Sequence, residues 1–212
     1  FAVGGLLAIS GVLMQVLLRN PLAEPYILGS SGGAAVAALL AMSFGFGSLW
    51  IDASAFSGSL IATLLVFTIA SGNGNWDPTR LLLTGVVLAS GFSAITTLIL
   101  ALSSEQTVRG MLFWMMGDLS FAYYPMHLIY LLVVITFITS FLSRYFDILS
   151  RGEIQASILG IEVKFFRMMI FIITAVATSL SVTAVGVIGF VGLVVPHSVR
   201  LIVGSKHRYV FP

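Results

Sequence analysis

The chain has 212 residues, 58% of them hydrophobic and 8% charged, where a soluble domain carries about 25% charged. Ten Lys and Arg against eight Asp and Glu leave a net charge of +2, too small to argue for nucleic acid, and the absence of cysteine excludes disulfides, thiolate metal sites and thiol nucleophiles. With a mean hydropathy of +1.09, most side chains are expected to face lipid or other apolar helices.

A bilayer crossing takes roughly 20 mostly apolar residues. Seven runs approach or reach that length: about 1–18, 26–46, 50–71, 81–102, 127–142 continuing toward Tyr145, 165–185 and 187–203. They are continuous rather than alternating, which argues against strands. Their Val, Ile and Thr do not argue against helix, because lipid offers the backbone no other partner. The expected fold is all-α, a polytopic membrane protein with seven transmembrane helices in one domain over 1–212. Phe1 stands where an initiator Met would, the apolar run begins at once, and no signal peptide is read, so a piece of a longer chain is expected.

The first run ends in a polar break, Arg19-Asn20-Pro21-Leu22-Ala23-Glu24-Pro25. Pro21 and Pro25 prevent one continuous helix, and Arg19, Asn20, Pro21 and Pro25 form a candidate hinge. If Arg19 lies on the cytoplasmic side, alternation places nine of the ten basic residues there and leaves Arg109 alone outside. That is a strong positive-inside bias. Gln15 is the clearest polar group within a run; it reads as a helix–helix hydrogen bond or as part of a path.

Three connections look structured. The first, 71–80, contains Gly72-Asn73-Gly74-Asn75 and reads as a turn. The second, 103–126, contains an apolar piece from Val108 to Asp118, too short to cross, and reads as a short helix at the outer face. The third, 147–167, looks like two short helical turns over Ser150–Gly160, stopped by glycines. Small residues four apart, Gly4 with Ala8, Gly29 with Gly33, Ser54 with Gly58 and Gly85 with Ala89, are expected at helix crossings. Within the last run Pro196 removes the hydrogen bond to the Gly192 carbonyl, so Gly192 and Pro196 mark either a hinge or a static kink.

No constellation for catalysis is found. His197 has only His127 and His207 as possible co-ligands and reads as a structural group. No paired intramembrane carboxylates and no Gly-x-x-x-x-Gly-Lys-Ser/Thr sequence occur, so any ATP hydrolysis belongs to another subunit.

Four motifs carry a family resemblance. They are Gly11-x-x-x-Gln15-x-x-x-Arg19-Asn20-Pro21-Leu22-Ala23-Glu24-Pro25-x-x-Leu28-Gly29; Arg109-Gly110-x-x-x-Trp114-x-x-Gly117; Gly152-Glu153-x-x-Ala156-x-x-Leu159-Gly160; and Gly189-Phe190-Val191-Gly192-Leu193-x-x-Pro196-His197-x-x-Arg200 with His207-Arg208. In these the chain resembles the FecCD permeases, the membrane subunits of type II ABC importers for iron-siderophores, haem and vitamin B12. The resemblance implies a fold of about ten helices, of which this chain would be the second to eighth and the approach to the ninth.

It implies no catalytic residue, metal or cofactor on this chain, with ATP and Mg held by partner ATPase subunits. It also implies a periplasmic or extracellular substrate-binding protein, a second permease copy as homodimer, and a multi-pass place in the inner (plasma) membrane. Arg151, Gly152, Glu153, Ala156, Leu159 and Gly160 would form the ATPase-coupling loop. Met111, Trp114, Met115 and Gln15 are candidate path residues, within a path lined by the 81–102 run and by a soft surface that also includes Met116, with interface anchoring as the alternative for Trp114 and the methionines. Arg109 is a candidate contact to the binding protein or a solvated rim charge. The expected cargo is an iron-siderophore-type chelate; haem, vitamin B12 and a non-transporting scaffold are the alternatives.

Overall fold

The computed structural model describes residues 1–72, 77–119 and 126–211. The expected turn at 73–75 and the end of the outer connection, 120–125, lie outside the described residues. Among the described residues there are eleven α-helices and no strand. They are α1 (Ala2–Leu18), α2 (Ser30–Ser43), α3 (Ser48–Ala70), α4 (Pro78–Leu102), α5 (Glu105–Met116) and α6 (Met126–Phe141), then α7 (Ser143–Leu149), α8 (Glu153–Ile158), α9 (Val163–Val185), α10 (Val191–Val203) and α11 (His207–Val210).

The seven expected runs coincide with apolar helices, but their lengths differ from expectation. α3, α4 and α9 are long and apolar enough to cross a membrane. α6 and α7 qualify together, yet the chain bends by 63° between them instead of running straight toward Tyr145. α1, α2 and α10 are shorter, at 17, 14 and 13 residues. The second run loses its start to a 3-10 turn over Pro25–Leu28 and to Gly29 at φ 75°. The last begins only at Val191, because Gly186 at φ 75° and Phe190 at φ 67° interrupt the helical path.

The described residues fall into two compact units. One lies within Phe1–Pro25, Tyr124–Ala177 and Phe190–Pro212, the other within Tyr26–Tyr123 and Thr178–Gly189.

In the first unit α1 packs against α10, α6 and α7, while α11 packs against α7 and α10. Leu6, Leu13 and Met14 of α1 are fully buried. The α1–α10 crossing is a backbone contact: the Gly192 carbonyl occupies the place that a Gly11 Cβ would take. Pro196 has no N–H to engage that carbonyl within α10, which leaves it directed at the neighbouring helix.

In the second unit α2 packs against α3, α4 and α5. A Cβ on Gly33 would collide with the Gly58 carbonyl and the Ala62 methyl, and one on Gly85 with the Ile27 carbonyl. Met111 of α5 is buried with Leu39 and Ile99. The Ser59 and Ser179 hydroxyls meet at 2.8 Å, tying α3 to the end of α9. α4 keeps Leu83, Val86, Val87 and Leu98 exposed, a face suited to lipid or another apolar chain.

The small-residue expectation thus holds at Gly33, Gly58 and Gly85 and fails at Gly4, around which a Cβ would meet nothing. One helix therefore contains its own control. Gly11→Ala should destabilise the protein by about 1–3 kcal/mol through overpacking. Gly4→Ala should be neutral or stabilising by up to about 1 kcal/mol through helix propensity. Thermal unfolding of the two variants in detergent measures the difference, and equal midpoints would contradict the backbone crossing.

Candidate functional site

The first unit gathers the polar break, the 143–160 helices and the C-terminal segment. Arg19 ends α1 in a left-handed conformation at φ 50°, its N–H reaching the Val16 carbonyl at 3.3 Å. Asn20 Oδ1 accepts from the Leu22 N–H at 2.9 Å, so the break is a hydrogen-bonded turn. Glu24 then accepts the Phe190 N–H at 3.0 Å, and the Pro25 ring covers Gly192. Gln15 is buried; its Oε1 accepts from Arg200 Nη1 and its Nε2 donates to the Ala23 carbonyl at 3.5 Å. This is the helix–helix hydrogen bond that its place within an apolar run suggested.

The expected pair of turns over Ser150–Gly160 is a single short helix, α8, between Gly152 at φ 134° and Gly160 at φ 77°. The second helical piece, α7, precedes it. Both glycines take backbone conformations that L side chains rarely adopt, so they fix where α8 starts and stops. Ala156 is buried and seats the helix, whereas Arg151, Ile154, Ile158 and Leu159 are exposed. Glu153 pairs with Arg167 at 3.6 Å, joining α8 to the start of α9.

Asp147 of α7 accepts two bonds from His207, from its N–H at 3.0 Å and from Nδ1 at 2.6 Å. Burial pushes the His207 imidazole below its ordinary value, Asp147 partly offsets this, and Arg200 adds to the lowering. His197 is exposed, and no group of three His, Asp or Glu suited to a metal occurs among the described residues.

In the second unit α5 runs over Glu105–Met116, starting three residues before the apolar piece read from sequence. Met111 faces the interior of the unit, while Trp114 and Met115 pack against its buried clusters. The outer side of α5 carries Arg109, Leu112, Phe113 and Met116, all exposed. With Leu100, Ser103, Glu105 and Val108 they line an open groove of about 620 Å³. Gly117 closes the helix at φ 69°, and the following Asp118 N–H reaches the Val185 carbonyl at 2.8 Å.

The sequence matches the FecCD transport family over residues 1–212. This chain belongs to that family. It is 38% identical to the cobalamin import system permease protein BtuC of Halobacterium salinarum, over 99% of this chain and 58% of the relative. It is 36% identical to the hemin transport system permease protein HmuU of Yersinia pestis, over 99% and 65%. Among solved structures, a metal-chelate type ABC transporter in an inward-facing conformation matches with a TM-score of 0.88 and 30% identity, over all of this chain and 68% of that one. This FecCD chain spans about six tenths of the length of such curated relatives.

Sequence reading of the FecCD chain found α8 and the polar break but missed what anchors them. Asp147 and His207 stand 60 residues apart, Glu24 and Phe190 166 apart. Neither pair has a spacing signal. The only available hint was charge: Glu24, Asp147 and Glu153 are rare carboxylates in a chain that is mostly apolar.

Because His207 is held below its ordinary value of 6.5, the unfolded chain takes up this proton at higher pH than the folded one. Its contribution is therefore complete above that value and declines as pH falls below it. The melting temperature in detergent should drop between pH 7.5 and 5.5, and His207→Gln should flatten the drop. An unchanged slope in the variant would remove His207 as its source.

Proposed function

We propose that this FecCD chain forms the membrane-spanning permease part of an ATP-binding cassette importer. ATP and Mg are bound by separate ATPase subunits that dock beneath it. A binding protein delivers substrate at the outer face, and a second permease copy completes the path in the inner (plasma) membrane. The observation that carries the reading is α8: a short helix set between two positive-φ glycines, packed against α7, with Ala156 buried and Ile154, Ile158 and Leu159 exposed on a basic part of the chain. Exposed apolar side chains there suit a protein cleft, and Arg151 and Lys164 beside them suit a cleft rimmed by carboxylates.

The cargo we propose is a bulky metal chelate. The cobalamin and hemin permeases among the relatives favour a corrinoid or haem over the siderophore expected from sequence. The chain offers the substrate soft apolar surface rather than ligands. On α5 that surface is Leu112, Phe113 and Met116, since Met111, Trp114 and Met115 are occupied in packing. Weak, non-ligating contact suits a conduit, because tight binding would slow release. We read Arg109 as the contact to a carboxylate of the binding protein, a reading supported by its exposure on the same helix.

Replacement of Ile158 by Asp tests the docking surface, since this side chain is 79% exposed and supports no internal packing. Loss of a central apolar contact commonly costs an interface about 2 kcal/mol. Ile158→Asp should insert normally, lose ATPase co-purification and lower uptake at least about tenfold. Wild-type uptake in this variant would sink the assignment of α8.

A further inference from the structure

We propose that the Asp147–His207 pair is the joint through which movement of α8 reaches α10, making both residues positioning residues for coupling. The proposal rests on the importer reading above.

The joint is directional. One carboxylate oxygen, Asp147 Oδ1, accepts both the main-chain N–H and the Nδ1 of His207, so it fixes the start of α11 and the ring orientation together. A purely apolar contact would let α7 and α11 slide past each other. The His207 end of the pair is enclosed, with its side chain 6% exposed, and the Asp147 side chain is 30% exposed. Phe146, next to Asp147 and fully buried, meets Phe211 edge-on at 5.5 Å and Phe166 at 6.4 Å, and the His207 ring lies 5.7 Å from Phe211. Separating α7 from α11 would break both His207 bonds and open this aromatic cluster.

The joint sits in an unbroken line of contacts within one unit. α8 touches α7 and is tethered to it through Ser150, Arg151 and Gly152. α11 touches α10 and follows it after Gly204, Ser205 and Lys206. Arg200 of α10 donates to Gln15 of α1. A load applied to α8 therefore arrives at α7, crosses to α11 through this carboxylate and the Phe146–Phe211 contact, and continues to α10, while α7 also touches α1 directly.

The test uses the full-length permease in proteoliposomes with its ATPase and binding protein, and cobalamin and haemin as probes. ATP hydrolysis and uptake are measured separately. Asp147→Ala and His207→Phe should assemble with the ATPase and hydrolyse ATP, while uptake per ATP falls about tenfold. Asp147→Asn, which keeps an acceptor, should retain most of the ratio. A wild-type ratio in both disruptive variants would overturn the joint.

If those variants do not assemble, the cysteine-free chain permits a second arm, D147C/H207C. Reduced, this double variant should be uncoupled; a short thiol cross-linker should restore coupling. A ratio that is normal before cross-linking, or low after it, would overturn the proposal. If the unmodified permease neither takes up a probe nor alters ATP hydrolysis, the importer reading itself fails. That outcome is distinct from a coupled wild type with indifferent variants.

Discussion

A backbone in lipid has only itself to bond with, and the rest of this structure follows from how the chain satisfies that constraint wherever a helix is interrupted. At the polar break, Asn20 accepts the Leu22 N–H and Gln15 reaches the Ala23 carbonyl. At the α6–α7 bend, the Tyr145 and Phe146 N–H groups both reach the Leu142 carbonyl. Between α9 and α10, the Phe190 N–H finds Glu24. At Pro196, the released Gly192 carbonyl is laid against Gly11. Some interruptions are satisfied within the turn itself and others by a partner from another segment, and the latter draw the polar break, α1 and α10 together.

The same constraint explains why the spans look chemically empty. Several hydroxyls inside helices bond to their own helix: Thr63 donates to the Ser59 carbonyl, Thr139 to that of Ile135 and Thr183 to that of Ser179, each at 2.8 Å.

Sequence made the helices legible because hydropathy alone decides which segments enter lipid. It also located α8, since Gly152 and Gly160 punctuate the chain at positions where side chains are disfavoured. It misjudged ends wherever the limit is set by a partner rather than by composition. Val187 to Phe190 is as apolar as a span, yet Phe190 takes φ 67° with its N–H on Glu24. Met111, Trp114, Met115 and Met116 read as one soft surface because they are close in sequence, but on α5 the first three turn inward and Met116 stays outside with Leu112 and Phe113. Side-chain direction follows helical phase, which a mixed apolar run does not reveal.

Charge completes the argument. Eight of the ten basic residues lie in the first unit: Arg19, Arg144, Arg151, Lys164, Arg167, Arg200, Lys206 and Arg208. Three of that unit's four carboxylates are committed to specific contacts, Glu24 on Phe190, Asp147 on His207 and Glu153 on Arg167. Arg167 and Arg200 are likewise committed, the latter to Gln15, whereas the other six bases are exposed. The acidic groups therefore hold the fold, and most of the basic groups are left to face outward. The surplus of exposed cations in this unit and the internal joints that brace it are two consequences of one division of labour: carboxylates spent on Phe190, His207 and Arg167 are not available to the six exposed bases.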